Sequence, residues 1–482
     1  MNCMIKKIFL AFVLVALVGC EKNEGEFAAS SEPGMPVGDV ISVEEALGQL
    51  AAFQTAMAPN TRSGESSHAV KSIRDISVSG GKAATRSGGG IDLPDTMVYV
   101  VNFADNGGFA VLGARRSLEP VYAVTESGSF DAGKLDETLA RLSVRCMQEP
   151  SPAPVSDADS FNDIGTDYVY ELMAAGLINL PDGGVRPPIG GWGDNGWGDK
   201  GTTTFLGYSD WEISEKTGPL VTVKWNQTHP FNMSMDKTWT TIEDPFYKNR
   251  YPAGCGVIAM AQIMTCVKRP AKAPAGKTVS YDWENLKTIS NYENVGLYFQ
   301  PGHYNGYNIE YARQLAEVIY DLGIRFGRQY HNGETVVIPE NVIIGLKNMD
   351  AGYYADAVFD VVDLDKMYVQ LDKGKPLFML GTIETGAGHA WVVDGYALAK
   401  RTGTYVTKYD DESKGDLYLI ESQLAHFIHV NWGYSGAYDG YYTSFLLDME
   451  KRELKDEVID ENIYDTPGLN LNLRYNNRVI YY

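Results

Sequence analysis

The chain has 482 residues, a length that favours two folded units with flanking segments over a single domain. Hydrophobic residues make up 44% of it, so a large core can be buried. The formal net charge is −21, and no Lys- or Arg-rich run follows the first residues. Because a phosphate-binding protein needs a basic face, this charge argues against DNA or RNA as the main partner.

The first twenty residues have the pattern of an export signal. Lys6 and Lys7 precede an apolar run over residues 8–18, which is too short to span a bilayer as a helix. This pattern predicts a signal peptide at residues 1–19. Its end, Leu-Val-Gly-Cys, resembles a bacterial lipobox. It predicts lipidation of Cys20 and an exported lipoprotein of the bacterial cell envelope, at the outer membrane or cell surface. The alternative is an ordinary secretion signal with a chance cysteine.

Residues 20–39 are small and polar and predict a flexible tether, and residues 40–180 predict a small α+β unit. Helical spacing over Val40–Phe53 is followed by a Ser- and Gly-rich stretch, Thr61–Gly90, that predicts a loop. The turn signal at residues 106–108 separates two apolar runs and predicts a β-hairpin. The other predicted elements are strands at Met97–Phe103, Phe109–Gly113 and Pro120–Val124, and helices at Leu135–Cys146 and Tyr168–Leu177.

A glycine- and proline-rich stretch over residues 181–204 separates this unit from the rest of the chain. It predicts an exposed linker, and exposed linkers are where proteases cut. The second unit, residues 205–482, has helical patterns first and strand patterns later, which is typical of an α+β fold. Its predicted helices are Cys255–Val267 and Ile309–Leu322, and its predicted strands are Pro376–Leu380, His389–Gly395, Leu417–Ile420, Phe427–Trp432, Gly440–Phe445 and Arg478–Tyr481.

Five cysteines are present, and their spacing shows no paired framework. Cys3 lies in the signal and Cys20 at the lipobox, which leaves Cys146, Cys255 and Cys266. Cys255 stands at a predicted helix start with small neighbours on both sides. The positive end of the helix dipole favours a thiolate there, so the sequence predicts a lowered pKa and a nucleophile. Cys266, deep in the same helix, is predicted to be a structural thiol.

His389 is the candidate base for Cys255. A glycine-rich approach and an apolar run place it at the start of a strand, within the separation of roughly 130–150 residues that papain-like proteases show. Such a site also needs an orienting group and an oxyanion donor. Asn431 can accept the ring N–H of His389, and Trp432 can shield that bond from water. Gln227 offers an amide donor. Each residue alone is more often structural, and their joint order favours a cysteine hydrolase.

These residues lie in motifs that resemble the streptopain family of papain-like cysteine peptidases. The shared stretches, in the family's order, are Lys224-Trp225-Asn226-Gln227 with Pro230-Phe231-Asn232, Gly254-Cys255 with Ala259-Met260-Ala261-Gln262, Tyr281-Asp282-Trp283, Gly388-His389-Ala390 through Asp394-Gly395-Tyr396, and His429-Val430-Asn431-Trp432-Gly433 before Gly440-Tyr441-Tyr442. The resemblance implies a papain-like α+β fold, with a helical subdomain and an antiparallel sheet subdomain, preceded by a small α+β prodomain. It also implies Cys255 as nucleophile, His389 as base, Gln227 at the oxyanion hole, and Asn431 with Trp432 in support of the histidine.

The first unit resembles the inhibitory propeptide of the same family, chiefly through Tyr99–Phe103, residues 108–111 and residues 120–122. The resemblance implies an inhibitory propeptide and thus a zymogen, and the Gly- and Pro-rich linker at residues 181–204 is the predicted site of the activating cleavage. The expected partners are protein or peptide substrates, the chain's own propeptide, and a membrane through Cys20. Two departures stand out: Gly256 replaces a β-branched or small apolar residue, and residues 433–436 read Gly-Tyr-Ser-Gly where the family has Gly-Trp-Gly-Gly.

Two other functions are alternatives to a cysteine peptidase. A metal hydrolase would have to use His426 and His429, but residues three apart on a strand point to opposite faces, and no His-Glu-x-x-His motif occurs. No cofactor or metal is therefore expected, and the serine-hydrolase elbow is missing as well. The stronger alternative is an inactive surface lipoprotein that kept the protease fold and acts as a binding protein, since fold does not fix function.

Overall fold

The structure is a computed structural model that describes residues 40–58, 69–77, 82–84, 90–92, 96–116, 118–145, 169–170, 172–174, 201–238, 249–271, 281–289, 309–331, 333–382, 388–409, 413, 415–446 and 477–482. The predicted signal peptide, Cys20, the tether, Cys146 and residues 181–200 of the linker lie outside these ranges. All described residues belong to one unit, Pro36–Tyr482. Within them, no helix is both long and apolar enough to cross a bilayer.

The helices begin where the sequence supplies a start signal. The first helix starts at Val43 because the Ser42 hydroxyl accepts a hydrogen bond from the Glu45 N–H at 3.2 Å. The helices are α1 (Val43–Met57), α2 (Ala132–Arg145), α3 (Cys255–Val267), α4 (Trp283–Leu286), α5 (Ile309–Arg325), α6 (Pro339–Met349) and α7 (Leu364–Asp372). Residues 169–170 and 172–174 are also helical, and short 3₁₀ turns lie at Ala104–Asn106 and Ser444–Leu446.

The strands come from both halves of the chain. They are β1 (Val70–Ser77), β2 (Lys82–Ala84), β3 (Gly90–Asp92), β4 (Thr96–Phe103), β5 (Phe109–Gly113), β6 (Val121–Thr125), β7 (Gly201–Tyr208), β8 (Glu212–Thr217), β9 (Gln329–His331), β10 (Glu334–Val336), β11 (Val358–Val361), β12 (Leu377–Thr382), β13 (Gly388–Tyr409), β14 (Leu417–Asn431), β15 (Gly440–Thr443) and β16 (Arg478–Tyr481). The strand β7 begins at Gly201, which lies before the predicted end of the linker at residue 204.

Twelve of the described strands form one antiparallel sheet in the order β1-β4-β5-β6-β15-β14-β13-β12-β16-β11, with β7 and β8 paired to β13. The N-terminal strands join the C-terminal ones at β6 and β15, where Val124 lies opposite Tyr441 and Ala123 opposite Tyr442. The predicted α+β class, with a helical part and an antiparallel sheet part, is confirmed. The predicted domain boundaries stay a prediction.

The helix α3 lies between the helical layer and the sheet. Its residues 256–265 are all buried, and a helix that is apolar on every side must be packed on every side. It contacts α5 on one side and β12 and β13 on the other. The predicted bounds of this helix, Cys255–Val267, are confirmed. Its N-terminal residue, Cys255, therefore lies where helical layer and sheet meet.

The structure differs from the sequence-based prediction in two stretches. The predicted loop Thr61–Gly90 contains β1, which pairs with β4, so that prediction was wrong there. The predicted strands Leu417–Ile420 and Phe427–Trp432 lie in one continuous strand, β14, paired along its length with β13. In both stretches the hydrophobic alternation is weak, and pairing with a neighbour that is distant in sequence stabilises the strand.

Candidate active site

The backbone before Cys255 makes a turn that requires glycine. Gly254 has φ +92°, and a Cβ added to it would lie 2.7 Å from the carbonyl oxygen of Thr335 in β10. A Cβ on Gly256 would likewise lie 2.5 Å from Cγ2 of Val337, which explains why glycine, the first departure from the family pattern, stands at this position. The first N–H groups of α3 have no acceptor within the helix, and those of Cys255 and Gly256 face the Cys255 sulfur.

The Cys255 thiol lies beside the strand that carries His389. Burial raises the pKa of Cys255 above its ordinary value, and the backbone N–H groups of Ala390 and Gly256 lower it by less. The prediction of a lowered pKa was therefore wrong for the intact chain, because desolvation outweighs the N–H groups. The contact with Ala390, the residue after His389, places the sulfur against the backbone of the strand that carries the candidate base.

His389 is 3% exposed, and both of its ring nitrogens have partners other than the thiol. Its Nε2–H donates to the Trp432 carbonyl oxygen at 2.9 Å, and the Tyr434 hydroxyl donates to Nδ1 at 3.1 Å. Burial lowers the pKa of His389 to about 4, so the ring is neutral near pH 7. In the intact chain His389 is therefore uncharged, and the lone pair on its Nδ1 accepts the hydrogen bond from the Tyr434 hydroxyl.

Three aromatic side chains surround the His389 ring. The ring centroid lies 6.2 Å from those of Trp391 and Trp432 and 5.0 Å from that of Tyr434, all in stacked orientations. Trp432 is fully buried, as its predicted role in excluding water requires. Tyr434 was noted in the sequence only as a departure from the family. The tryptophan of the family pattern has no hydroxyl, so that pattern gave no reason to expect a hydrogen bond from residue 434 to Nδ1 of His389.

Asn431 does not make the hydrogen bond that the sequence suggested. Its Oδ1 accepts from Gln262 Nε2 at 3.1 Å and from the Gly433 N–H at 3.1 Å, while its Nδ2 donates to the Val223 carbonyl at 3.0 Å. Because Trp432 and Tyr434 occupy the His389 nitrogens, the pairing of Asn431 with His389 is absent from the intact chain. Its role in the active enzyme stays a prediction.

Gln262 is a positioning residue that the sequence reasoning missed. It is fully buried in α3, and its Oε1 accepts from the Trp225 N–H at 3.1 Å while its Nε2 donates to Asn431. Gln262 therefore links Trp225, two residues before Gln227, to Asn431, the residue before Trp432. A single glutamine in an otherwise apolar helix was the available signal, because a buried amide must find partners.

Gln227 lies beside the nucleophile turn, since its carbonyl oxygen accepts from the Ala253 N–H at 2.8 Å. Its side chain is partly buried and makes no hydrogen bond to another described residue. The position is compatible with an amide donor that faces a reacting carbonyl. The oxyanion role of Gln227 stays a prediction.

The other cysteine and histidine candidates from the sequence contact residues outside the candidate active site. The Cys266 thiol donates to the Leu220 carbonyl at 3.3 Å, and burial raises its pKa to about 11. His426 lies against Tyr368, whereas His429 contacts Asp394 on the opposite face of β14. Among the described residues, no group of three or more His, Cys, Asp and Glu side chains could hold a metal ion.

The chain is similar to one family of known proteins and to solved structures. Residues 225–442 match the family model described as Peptidase C10 family. A prointerpain A fragment from Prevotella intermedia is 18% identical with a TM-score of 0.43, over 85% of this chain and 98% of that one. The active interpain A cysteine protease from the same organism is 24% identical with a TM-score of 0.32, over 48% of this chain and 87% of that one. The search among curated proteins returned no match.

We expect Tyr434→Phe to raise the reactivity of Cys255 in the uncleaved chain. The variant keeps the ring stack but frees the Nδ1 lone pair, which can then accept the thiol proton. A net hydrogen-bond contribution of about 0.5–1.5 kcal/mol corresponds to a roughly two- to tenfold faster alkylation at pH 7. Mass spectrometry of the Cys255 peptide measures it. Tyr418→Phe, on an exposed tyrosine of β14, is the matched control. An unchanged or slower rate in Tyr434→Phe would contradict the assignment.

Proposed function

Because the chain belongs to the Peptidase C10 family, the streptopain-type cysteine peptidases, we propose that it is an endopeptidase zymogen. In this proposal the chain is anchored to the bacterial cell envelope through a lipid on Cys20. Removal of the N-terminal segment, residues 40–180, activates it. The observation that carries the proposal is the junction of a nucleophile helix with a strand that bears a buried histidine.

The proposed reaction uses the residues that meet at this junction. Nδ1 of His389 takes the Cys255 proton, and the thiolate attacks the substrate carbonyl carbon. The Cys255 N–H and the Gln227 amide stabilise the oxyanion. The C–N bond then breaks, the imidazolium protonates the leaving amine, and a thioester remains. Water, activated by His389, hydrolyses the thioester to a carboxylate and restores the thiol.

Latency in the intact chain follows from the hydrogen bonds of His389. The reaction needs its lone pair on the Cys255 side, and that lone pair is held by Tyr434. The loop that carries Tyr434 lies against residues 126–128 of the N-terminal segment, because the Tyr438 N–H donates to the Ser127 carbonyl at 3.3 Å. Removal of that segment takes away the contacts that hold the loop.

We expect Cys255→Ala and His389→Ala to abolish hydrolysis of casein, since each removes a group that the reaction requires. The loss of kcat/KM should exceed about 10³-fold, as for other nucleophile and base deletions. Cys266→Ala, on the second thiol of α3, is the control and should retain activity. Undiminished proteolysis by Cys255→Ala would contradict the assignment and would leave the inactive binding protein as the better interpretation.

We expect the active form to begin within residues 181–204 or shortly after, since this Gly- and Pro-rich stretch is the predicted cleavage site. Intact-mass measurement and N-terminal sequencing of purified active enzyme check this. The Cys255→Ala chain, incubated alone, shows whether the cleavage is autocatalytic. An active form that still carries residues 40–180 in one uncut chain would contradict the zymogen proposal.

We expect Cys20→Ser to release the precursor from the membrane fraction, because an acyl chain on Cys20 would supply the apolar surface that holds it there. Cleavage in the linker would have the same effect on the catalytic part. Fractionation of cells followed by mass spectrometry of the N-terminal peptide measures both. Cys146→Ser is the control. A Cys20→Ser chain that remains membrane-bound would contradict the lipid anchor.

A further inference from the structure

A second buried histidine, His429, is charged near pH 7. The His429 side chain is 4% exposed, and its Nδ1–H donates to the fully buried Asp394 carboxylate at 2.6 Å. Its Nε2–H donates to Oε1 of Glu126, which follows β6, at 3.3 Å. Because both ring nitrogens donate to carboxylates, the ring is an imidazolium. Burial alone would lower the pKa of His429, but the two carboxylates outweigh it and raise the pKa to about 10.

A second cation meets the other oxygen of the same carboxylate. Nζ of Lys224 lies 3.1 Å from Oε2 of Glu126, so each oxygen has its own positive partner. The hydrogen bond from His429 is the largest cause that lowers the pKa of Glu126, to about 2. Asp394 also accepts from the Val221 N–H at 2.9 Å and lies entirely within the C-terminal part of the chain. Glu126 is therefore the one member of this cluster that the N-terminal segment supplies.

We propose that His429 and Lys224 form a carboxylate-binding site of the peptidase domain, and that Glu126 occupies it in the intact chain. The site is preformed, because Asp394 fixes the imidazolium ring and would still do so after Glu126 has left. Without Glu126, His429 and the partly exposed Lys224 would both lose the carboxylate that they share, and a second anion could replace it. His429 and Lys224 each bond one oxygen of Glu126, so the two cations are spaced to bind both oxygens of one carboxylate.

The Glu126 turn also contacts the loop, residues 433–439, that carries Tyr434. The Glu126 N–H donates to the Asp439 carbonyl at 2.8 Å, and the Ser127 hydroxyl donates to the Gly436 carbonyl. Gly436 in turn lies against the stem of Lys224, since a Cβ on it would lie 2.5 Å from Cδ of that lysine. Glu126 therefore anchors the turn that holds the Tyr434 loop. This regulatory part of the inference rests on the proposed zymogen function, whereas the carboxylate site does not.

Other ionisable groups face the cluster and belong to the same balance. Lys216 in β8 donates to the Met57 carbonyl at 2.7 Å, and its Nζ lies 5.5 Å from the Tyr441 ring, which contacts His429 edge-on. Burial lowers the pKa of Lys216. Asp439 is buried, and desolvation raises its pKa to about 7. Below about pH 7 Asp439 is mostly protonated, so it adds little negative charge to replace that of Glu126.

Chemical rescue tests the site in the full chain with Cys255→Ala, which separates it from any proteolysis. Glu126→Ala removes the atoms that acetate can replace. We expect it to lower the thermal midpoint by roughly 2–4 °C and acetate to restore the loss saturably. Acetamide or sodium chloride at the same concentration should not restore it. Glu137→Ala, on an exposed glutamate of α2, should show neither effect. No loss in Glu126→Ala, or rescue by acetamide equal to that by acetate, would overturn the site.

Glu126→Gln covers the case in which the alanine variant fails to fold. It keeps the size of the side chain, and we expect its loss of thermal midpoint to shrink when combined with Lys224→Met. The gap between wild type and Glu126→Gln should be widest between pH 4.5 and 6.5. It should narrow as the pH falls toward about 2 and Glu126 gains a proton, and as it rises toward about 10 and His429 loses one. Additive losses and a gap that does not vary with pH would overturn the pairing.

The regulatory part has its own readout in the uncleaved chain with Cys255 in place. Glu126→Gln should raise the alkylation rate of Cys255 about two- to tenfold, since the Tyr434 loop loses its anchor. Glu137→Gln should leave the rate unchanged. Acetate rescue without any change in alkylation would confirm the carboxylate site and overturn its control of the active site. If acetate does not rescue stability and the alkylation rate does not change either, the whole inference is overturned, whatever the peptidase assays give.

Discussion

The N-terminal segment and the peptidase domain share backbone hydrogen bonds, because β6 pairs with β15 in one continuous sheet. This pairing fixes where the turn after β6 lies. The turn, residues 126–128, is placed on the loop that follows β14, and that loop carries Tyr434. The loop that donates a hydrogen bond to His389 is thus in contact with a strand pairing between distant parts of the chain. Backbone pairing gives the contact its register, and the side chains of the turn give it chemical specificity.

Two histidines of equal burial carry opposite charge states near pH 7. His389 and His429 are each 3% exposed. The partners of His389 are a carbonyl and a hydroxyl, which do not repay the loss of hydration, so the ring stays neutral. The partners of His429 are two carboxylates, and the ring stays charged. The partners, and not the depth of burial, separate the two charge states.

The sequence predicted the parts of the site that local chemistry determines. The bounds of the nucleophile helix follow from Gly254 and the apolar run after it, and the position of His389 at a strand start follows from its glycine-rich approach. The lowered pKa of Cys255 was not confirmed, because burial by distant elements decided it. The strand β1 and the Glu126 contact were missed for the same reason. Both depend on pairings between residues far apart in the chain, which leave no local pattern.

The departures from the family pattern lie where these long-range contacts converge. Tyr434 supplies the hydroxyl that holds the His389 lone pair, and the Ser435 hydroxyl accepts from Asn226 Nδ2 at 2.6 Å. Asn226 precedes Gln227, the candidate oxyanion donor. The substituted loop therefore contacts the base on one side and the oxyanion segment on the other. A loop in that position can set both groups together, since any shift that moves Tyr434 away from His389 also alters the hydrogen bond that positions Asn226. The Glu126 turn therefore contacts the same loop that bonds His389 and Asn226.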